Sequence, residues 1–288
     1  MLGVYGKICI SFLFEIFTST LFGTFVSISG KTNHYNFKSW KVLFNVMKHE
    51  FDHKANVEDL MRNACDFEAN ATIARETTKE KYRKLESDGH NTFRITLDGL
   101  IARTIQQLAN KMNNPTEKIS YQISLAISFV RTHYIINDMI MHGDLIEAFT
   151  LIRKNFESVT RLHEIDKNPL LKLLKKTPNV INIFKDGGKQ LYPTLSEIAH
   201  FGTPRVGELL TVNSHEDGRI GPSLHPDFND DALGCYDRHA YVSIYFSFWL
   251  IQFLKSVYGE NYDHDKDEKT FFIMTSIAED NGIIRRKD

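Results

Sequence analysis

The sequence predicts an all-α protein, a helical bundle with a small loop or β-hairpin insertion around 202–234. Three observations carry that reading. Apolar residues recur at helical spacing through 116–141 and again through 144–164. Gly143 alone separates the two stretches, and so short a connection favours an antiparallel helical hairpin. Tyr236 to Tyr258 is a long aromatic segment with Arg238 and His239 at one end, Lys255 at the other and soluble-looking sequence on both sides. That pattern suits the central helix of a bundle rather than a membrane span.

Composition narrows the function classes. The chain has 288 residues, 42% hydrophobic and 25% charged, enough for a substantial core in one large domain or two modest ones. Lys+Arg number 35 against 36 Asp+Glu, a net charge of -1, so there is no strong signal for nucleic acid or an anionic membrane as a bulk partner. Cys9, Cys65 and Cys235 lie far apart with no CxxC pair, which suits a reducing, cytoplasmic compartment.

Ile8 to Ile28 is apolar and Phe-rich, with Lys7 before it and Ser27 and Ser29 near its end. It has the outline of a signal peptide cleaved before Gly30, and the length of a tilted membrane span. Glu15 in its middle opposes insertion by roughly 3 kcal/mol, against about 0.3–0.6 gained per Leu, Ile or Phe. A buried helix is therefore the expectation for 1–30, or an upstream extension if translation starts at Met47. A signal, or an anchor giving membrane contact through 8–28, is the alternative.

The rest of the chain reads as a succession of helices. Trp40, Leu43, Phe44, Met47 and Phe51 predict an amphipathic helix within 31–56, and a main helical domain follows over 57–258. Val57 to Glu86 is helix-compatible with a solvated face. Asp88-Gly89-His90-Asn91 reads as a break, with Thr92 capping a helix that runs to about Met112. In 116–141 the expected stripe is Ile119, Ile123, Ala126, Ile127, Val130 and Tyr134, with Asn137 a polar interruption. In 144–164 it is Leu145, Ala148, Phe149, Ile152, Phe156 and Val159. Pro169 to Lys176 is a short basic amphipathic piece. Pro193 starts a short helix that Gly202 ends. Glu208–Val212 can pair with Arg219–Leu224 across Asp217-Gly218. Residues 259–288 read as a charged C-terminal tail with one apolar turn at Phe271–Ile277.

Three constellations could carry chemistry. His49-Glu50-Phe51-Asp52-His53 matches H-E-x-x-H, in which two histidines one turn apart hold zinc and the glutamate activates bound water. Asp52 puts a charge where zinc-protease helices stay apolar, no third ligand follows at a familiar spacing, and Glu76 is only loosely placed. Two exposed histidines, with no metal, are therefore the expectation. Arg153, Glu157 and Arg161 stand i, i+4, i+8 on one flank of a helix, either as a surface ladder worth about 0.3–0.5 kcal/mol per pair or as the rim of a pocket. In Leu195-Ser196-Glu197-Ile198-Ala199-His200, Ser196 and His200 share a face one turn apart. His200 is then a half-buried helix cap, or an anion-binding or catalytic group.

The run Met141–Pro169, with Gly-x-x-x-x-Ala-x-x-x-x-Arg-x-x-x-Glu, and the later Leu-Ser-x-x-x-His at 195–200 resemble a widespread group of largely helical bacterial proteins without an established activity. The resemblance covers about Ser120 to Tyr258. It implies a bundle in which Arg153, Glu157 and His200 meet. That group is loosely similar to HEPN-type helical proteins, some of them metal-independent ribonucleases, whose signature is an arginine followed four to six residues later by a histidine. Arg83 and His90 have the longest spacing that signature allows, and Asp88-Gly89 interrupts the helix between them.

The expected function is a non-catalytic module that binds a protein partner or a small anionic ligand through Arg153, Ser196, Glu157 and His200, with no cofactor. The alternative is a ribonuclease-like hydrolase in which His200 acts as general acid/base and Arg153 holds a phosphate oxygen. A zinc hydrolase through His49, Glu50 and His53 is more distant. Whether the protein is an enzyme stays open at this level.

Overall fold

The structure, a computed structural model, describes residues 54–112, 115–210 and 221–284. The segment 8–28, the stretch 37–52 and the His49–His53 motif lie outside them. The chain divides into two units at Ala64/Cys65, within α1 (Lys54–Leu85). In the described part of the first unit, Asp59 accepts hydrogen bonds from Arg62 and Asn63, one turn on. Everything below concerns the second unit.

Its N-terminal corner differs from the expected one. The break falls at Glu86-Ser87, and Ser87 Oγ accepts from His90 N (3.2 Å), so α2 (Asp88–Gln106) starts four residues before Thr92. The Ser87 hydroxyl satisfies one of the orphan N–H groups of the first turn, and Asp88 lies favourably at the positive end of the helix. Gly89 sits inside that turn because a Cβ there would collide with the Asn281 side chain. The helix ends at Gln106 and continues only as a 3-10 turn to Ala109.

The predicted hairpin is present. Thr116 caps α3 (Glu117–His142), and Gly143, at φ 83°, ends it in the left-handed conformation that glycine adopts without strain. A Cβ at Gly143 would also lie 2.7 Å from the Asp227 carbonyl. Helix α4 (Leu145–Lys167) returns antiparallel: Lys154 reaches Thr132, and Gln122 donates to Asp166 at 2.7 Å. On α4 the expected stripe is the buried one. On α3 the period is right, and Ala126 and Asn137 are buried with Ile119, Ile123 and Val130 packed against the core, but the centre of the buried face is shifted. Ile127 and Tyr134 are exposed, while Gln122, Phe129, Thr132, His133, Ile136 and Asn137 face inward. The inward face carries polar groups that find partners inside, so hydropathy alone misplaced its centre.

The short α5 (Leu170–Leu173) leads to α6 (Val180–Ala199), which is two helical pieces joined at Lys185 (φ 46°, ψ −121°). Pro193 is therefore interior to α6 and does not start a separate helix. Phe184 packs on Phe156 of α4 at 4.5 Å, and a Cβ at Gly187 would strike the Tyr241 ring. Within 202–234, Arg205–Leu210 is a short helix, α7, so Glu208–Leu210 is helical rather than extended, while the rest of the expected hairpin, with its turn at Asp217-Gly218, lies largely outside the described residues. One backbone bond, Ser223 N to Leu210 O, ties α7 to 221–230.

Helix α8 (Asp231–Tyr258) packs against α2, α3 and α4 and buries Tyr236, Phe246 and Leu250. Phe246 stacks on Phe129 at 3.9 Å, and Trp249 donates to Asp166. By length and composition α8 could cross a membrane, but most of it is buried against its neighbours, as a central bundle helix should be. The expected charged tail is instead α9 (His264–Asp280), which packs on α2 and α8 and buries Phe271, Met274 and Ala278. The charges of 263–269 are its capped first turns, an ordinary helix start. No strand occurs among the described residues, so the fold is all-α.

Candidate functional site

Arg153 and Glu157 lie one turn apart at the edge of the α4 stripe, next to buried Ile152 and Phe156. His200 is the C-terminal cap residue of α6, held there by its N–H to Ser196 O (3.1 Å). The packing of α4 on α6 brings the three together. Arg153 Nη1 lies 2.9 Å from His200 Nε2, and Arg153 Nη2 lies 3.4 Å from Glu157 Oε1. Tyr192, which opens the same segment, completes the group: its hydroxyl donates to Glu157 Oε1 at 2.6 Å, and its ring lies under the Arg153 guanidinium at 5.7 Å. Burial first, then the Glu157 hydrogen bond, push the Tyr192 phenol pKa up.

Two members of the expected set behave differently. His200 is exposed rather than half-buried. Arg161 leaves the flank altogether, is nearly buried, and donates to the Leu173 and Lys176 carbonyls, tying α4 to the end of α5. The Ser196 side chain takes no hydrogen bond in the group among the described residues.

The geometry constrains the chemistry. A guanidinium only donates, so the Arg153–His200 bond requires Nε2 to accept, and the imidazole proton then sits on Nδ1. Glu157 is bound mainly by Tyr192, since 2.6 Å is a short hydrogen bond and 3.4 Å a weak contact. Arg153 Nε is shielded from solvent and has no partner. The Nε–Nη2 edge of Arg153 is therefore nearly unused.

A second polar cluster, unforeseen from sequence, lies in the core. His133 Nε2 meets Asp98 Oδ1 at 2.7 Å, and its Nδ1 meets Ser243 Oγ at 3.0 Å. Asn137 donates to the same carboxylate at 3.0 Å. The order Asp–His–Ser is that of a hydrolase triad, but Ser243 is fully buried while Asp98 reaches solvent, so no substrate reaches the hydroxyl. Beside it His239 is fully buried with neither ring nitrogen bonded, its ring 4.6 Å from that of His133. Burial, then His133, hold the His239 imidazole well below the ordinary histidine value. The sequence signal was Asn137, the polar break in an apolar stripe, one turn after His133.

Arg83 and His90 stand on different helices. His90 Nδ1 lies 3.1 Å from Ser87 Oγ and Nε2 lies 3.4 Å from Asp237, so its ring is committed to the α1–α2 corner. A cleft of about 280 Å³ opens between Phe67, Arg75, Asp144, Leu209 and His225. Arg75 and Asp144 close on each other there at 2.8 Å, and no member of the Arg153 group lines it. Among the described residues His264, Asp265 and Glu268 are spaced to share a metal ion. The chain matches no protein-family model, no curated protein and no solved structure.

Proposed function

We propose that the chain is a non-catalytic helical module that takes a small anionic ligand, a carboxylate or a phosphate, at Arg153, Glu157 and His200. On the same reading it belongs with the helical bacterial proteins that share its Arg-x-x-x-Glu and Leu-Ser-x-x-x-His segments. One observation carries the proposal. The Nε–Nη2 edge is the edge a planar anion grips with two parallel hydrogen bonds. In this protein Nε has no hydrogen-bond partner, and Nη2 has a 3.4 Å contact to Glu157 beside the Tyr192 hydroxyl, which also interacts with Arg153.

An incoming anion displaces little. Glu157 stays with Tyr192, His200 steadies the opposite end of the guanidinium, and Ser196, one turn before His200, is a further donor. Repulsion from Glu157 keeps the affinity modest, on the order of millimolar, about −4 kcal/mol. Calorimetric titration with inorganic phosphate and with acetate tests this. Binding should vanish in Arg153→Gln and tighten in Glu157→Gln, which removes the repelling charge. Unchanged binding in the first variant, or weaker binding in the second, would contradict the proposal.

The HEPN-like hydrolase is the second reading, favoured by the direct Arg153–His200 contact. There His200 acts as general acid/base and Arg153 holds a phosphate oxygen. Cleavage of single-stranded RNA in the presence of EDTA, lost in His200→Ala, would select it.

A further inference from the structure

His264 opens α9, and Asp263 caps the helix by accepting from Lys266 N. Acidic residues at a helix start are stabilised by the dipole and imply nothing more. The imidazole is the unusual element. It is 8% exposed, and its Nδ1 is shielded from solvent without a hydrogen-bond partner. The side-chain nitrogen of Gln252 on α8 lies 3.3 Å from the other ring nitrogen, Nε2. Turning that carboxamide over brings its oxygen to the ring, so that Nε2–H donates to it and Nδ1 holds a lone pair for a metal ion.

Nδ1 faces two carboxylates, Asp265 Oδ1 at 3.6 Å and Glu268 Oε2 at 3.9 Å. These distances are too long for hydrogen bonds. They are close to the separation of two ligands on one metal ion, since bonds of about 2.1 Å give a tetrahedral edge of roughly 3.4 Å. All three atoms lie within 4.8 Å of one another. Two full negative charges outweigh the roughly half positive charge of the helix N-terminus. An open cleft of about 740 Å³ adjoins, lined by Lys255, Glu260 and Asn261, and admits the waters that complete a coordination shell.

The geometry points to a divalent transition-metal site formed by His264 Nδ1, Asp265 and Glu268. One nitrogen and two carboxylate donors suit Zn²⁺ or Mn²⁺, and the nitrogen discriminates against Mg²⁺ and Ca²⁺, which prefer all-oxygen shells. The ion satisfies the orphaned Nδ1 and pins the start of α9 beneath α8. Three protein ligands leave at least one position open towards the cleft.

The test is calorimetric titration of the full chain with Zn²⁺ after treatment with EDTA. The chain's other histidine–carboxylate string is silenced in parallel by a His49→Ala/His53→Ala variant. That variant should retain one equivalent of Zn²⁺, undisturbed by millimolar Mg²⁺. Asp265→Asn and Glu268→Gln, both at solvent-accessible positions, should each weaken this binding at least tenfold while keeping the wild-type circular dichroism spectrum. Absence of stoichiometric binding, its loss in the His49/His53 variant, or its persistence unchanged in the Asp265 and Glu268 variants would overturn the assignment.

Discussion

Tyr192 holds Glu157 at 2.6 Å, whereas Arg153 approaches the same carboxylate only to 3.4 Å, and this order sets which side chains are energetically coupled. A partly exposed i, i+4 ion pair is worth about 0.3–0.5 kcal/mol. A hydrogen bond to a charged acceptor contributes roughly 1.5–3 kcal/mol. Double-mutant cycles by urea unfolding should therefore give more coupling for Tyr192→Phe with Glu157→Gln than for Arg153→Gln with Glu157→Gln. The reverse ranking would mean that Arg153, not Tyr192, holds the carboxylate and that its edge is occupied. His239 supports a second expectation. Its folded-state pKa lies below the unfolded value, so its contribution is present above about pH 6.5 and is lost as the pH falls. The slope approaches about 1.4 kcal/mol per pH unit once only the unfolded chain is protonated. His239→Leu should flatten the decline between pH 6.5 and 5, leaving the smaller share of His163, which burial also holds low. Equal slopes in both proteins would contradict the burial of an unbonded imidazole. At this scale spacing made Arg153 and Glu157 legible, because residues one turn apart on an apolar edge must share a rim. Tyr192 was not singled out, because an aromatic beside Pro193 reads as packing until its hydroxyl is located.

The elements were legible where one face is wholly apolar and illegible where polar groups pair inside. Helix α4 shows the first case, its stripe from Leu145 to Val159 being the buried one. Helix α3 shows the second: Asn137 reads only as a polar break in the stripe and His133 is not marked by the hydropathy pattern, yet Asp98 supplies their partner across the core. Helix α9 was hidden by its own first turns, whose charges resemble a solvated tail. Its contribution can be measured at Met274, which is fully buried. Met274→Ala should cost about 2–5 kcal/mol, read from the shift in the denaturation midpoint, as expected for a truncated core side chain. A change below about 0.5 kcal/mol, the range of surface substitutions, would return 264–280 to the status of a tail.

Across the molecule, charge is balanced at a net -1, so anion recognition at Arg153 has to come from local geometry rather than from a long-range basic field. In the Asp98–His133–Ser243 chain only the carboxylate reaches solvent and the hydroxyl is fully buried, so the serine offers a substrate no approach. That leaves the α4–α6 rim, where the partly exposed Arg153 guanidinium carries a shielded Nε–H without a partner. The most direct measurement is the ¹⁵N resonance of the Arg153 Nε–H group during titration with inorganic phosphate, with chloride at equal ionic strength as control. The account expects a saturable downfield shift of this proton with phosphate and none with chloride, absent in Arg153→Lys. A resonance unmoved by phosphate while lysine signals elsewhere shift would contradict an anion site at Arg153.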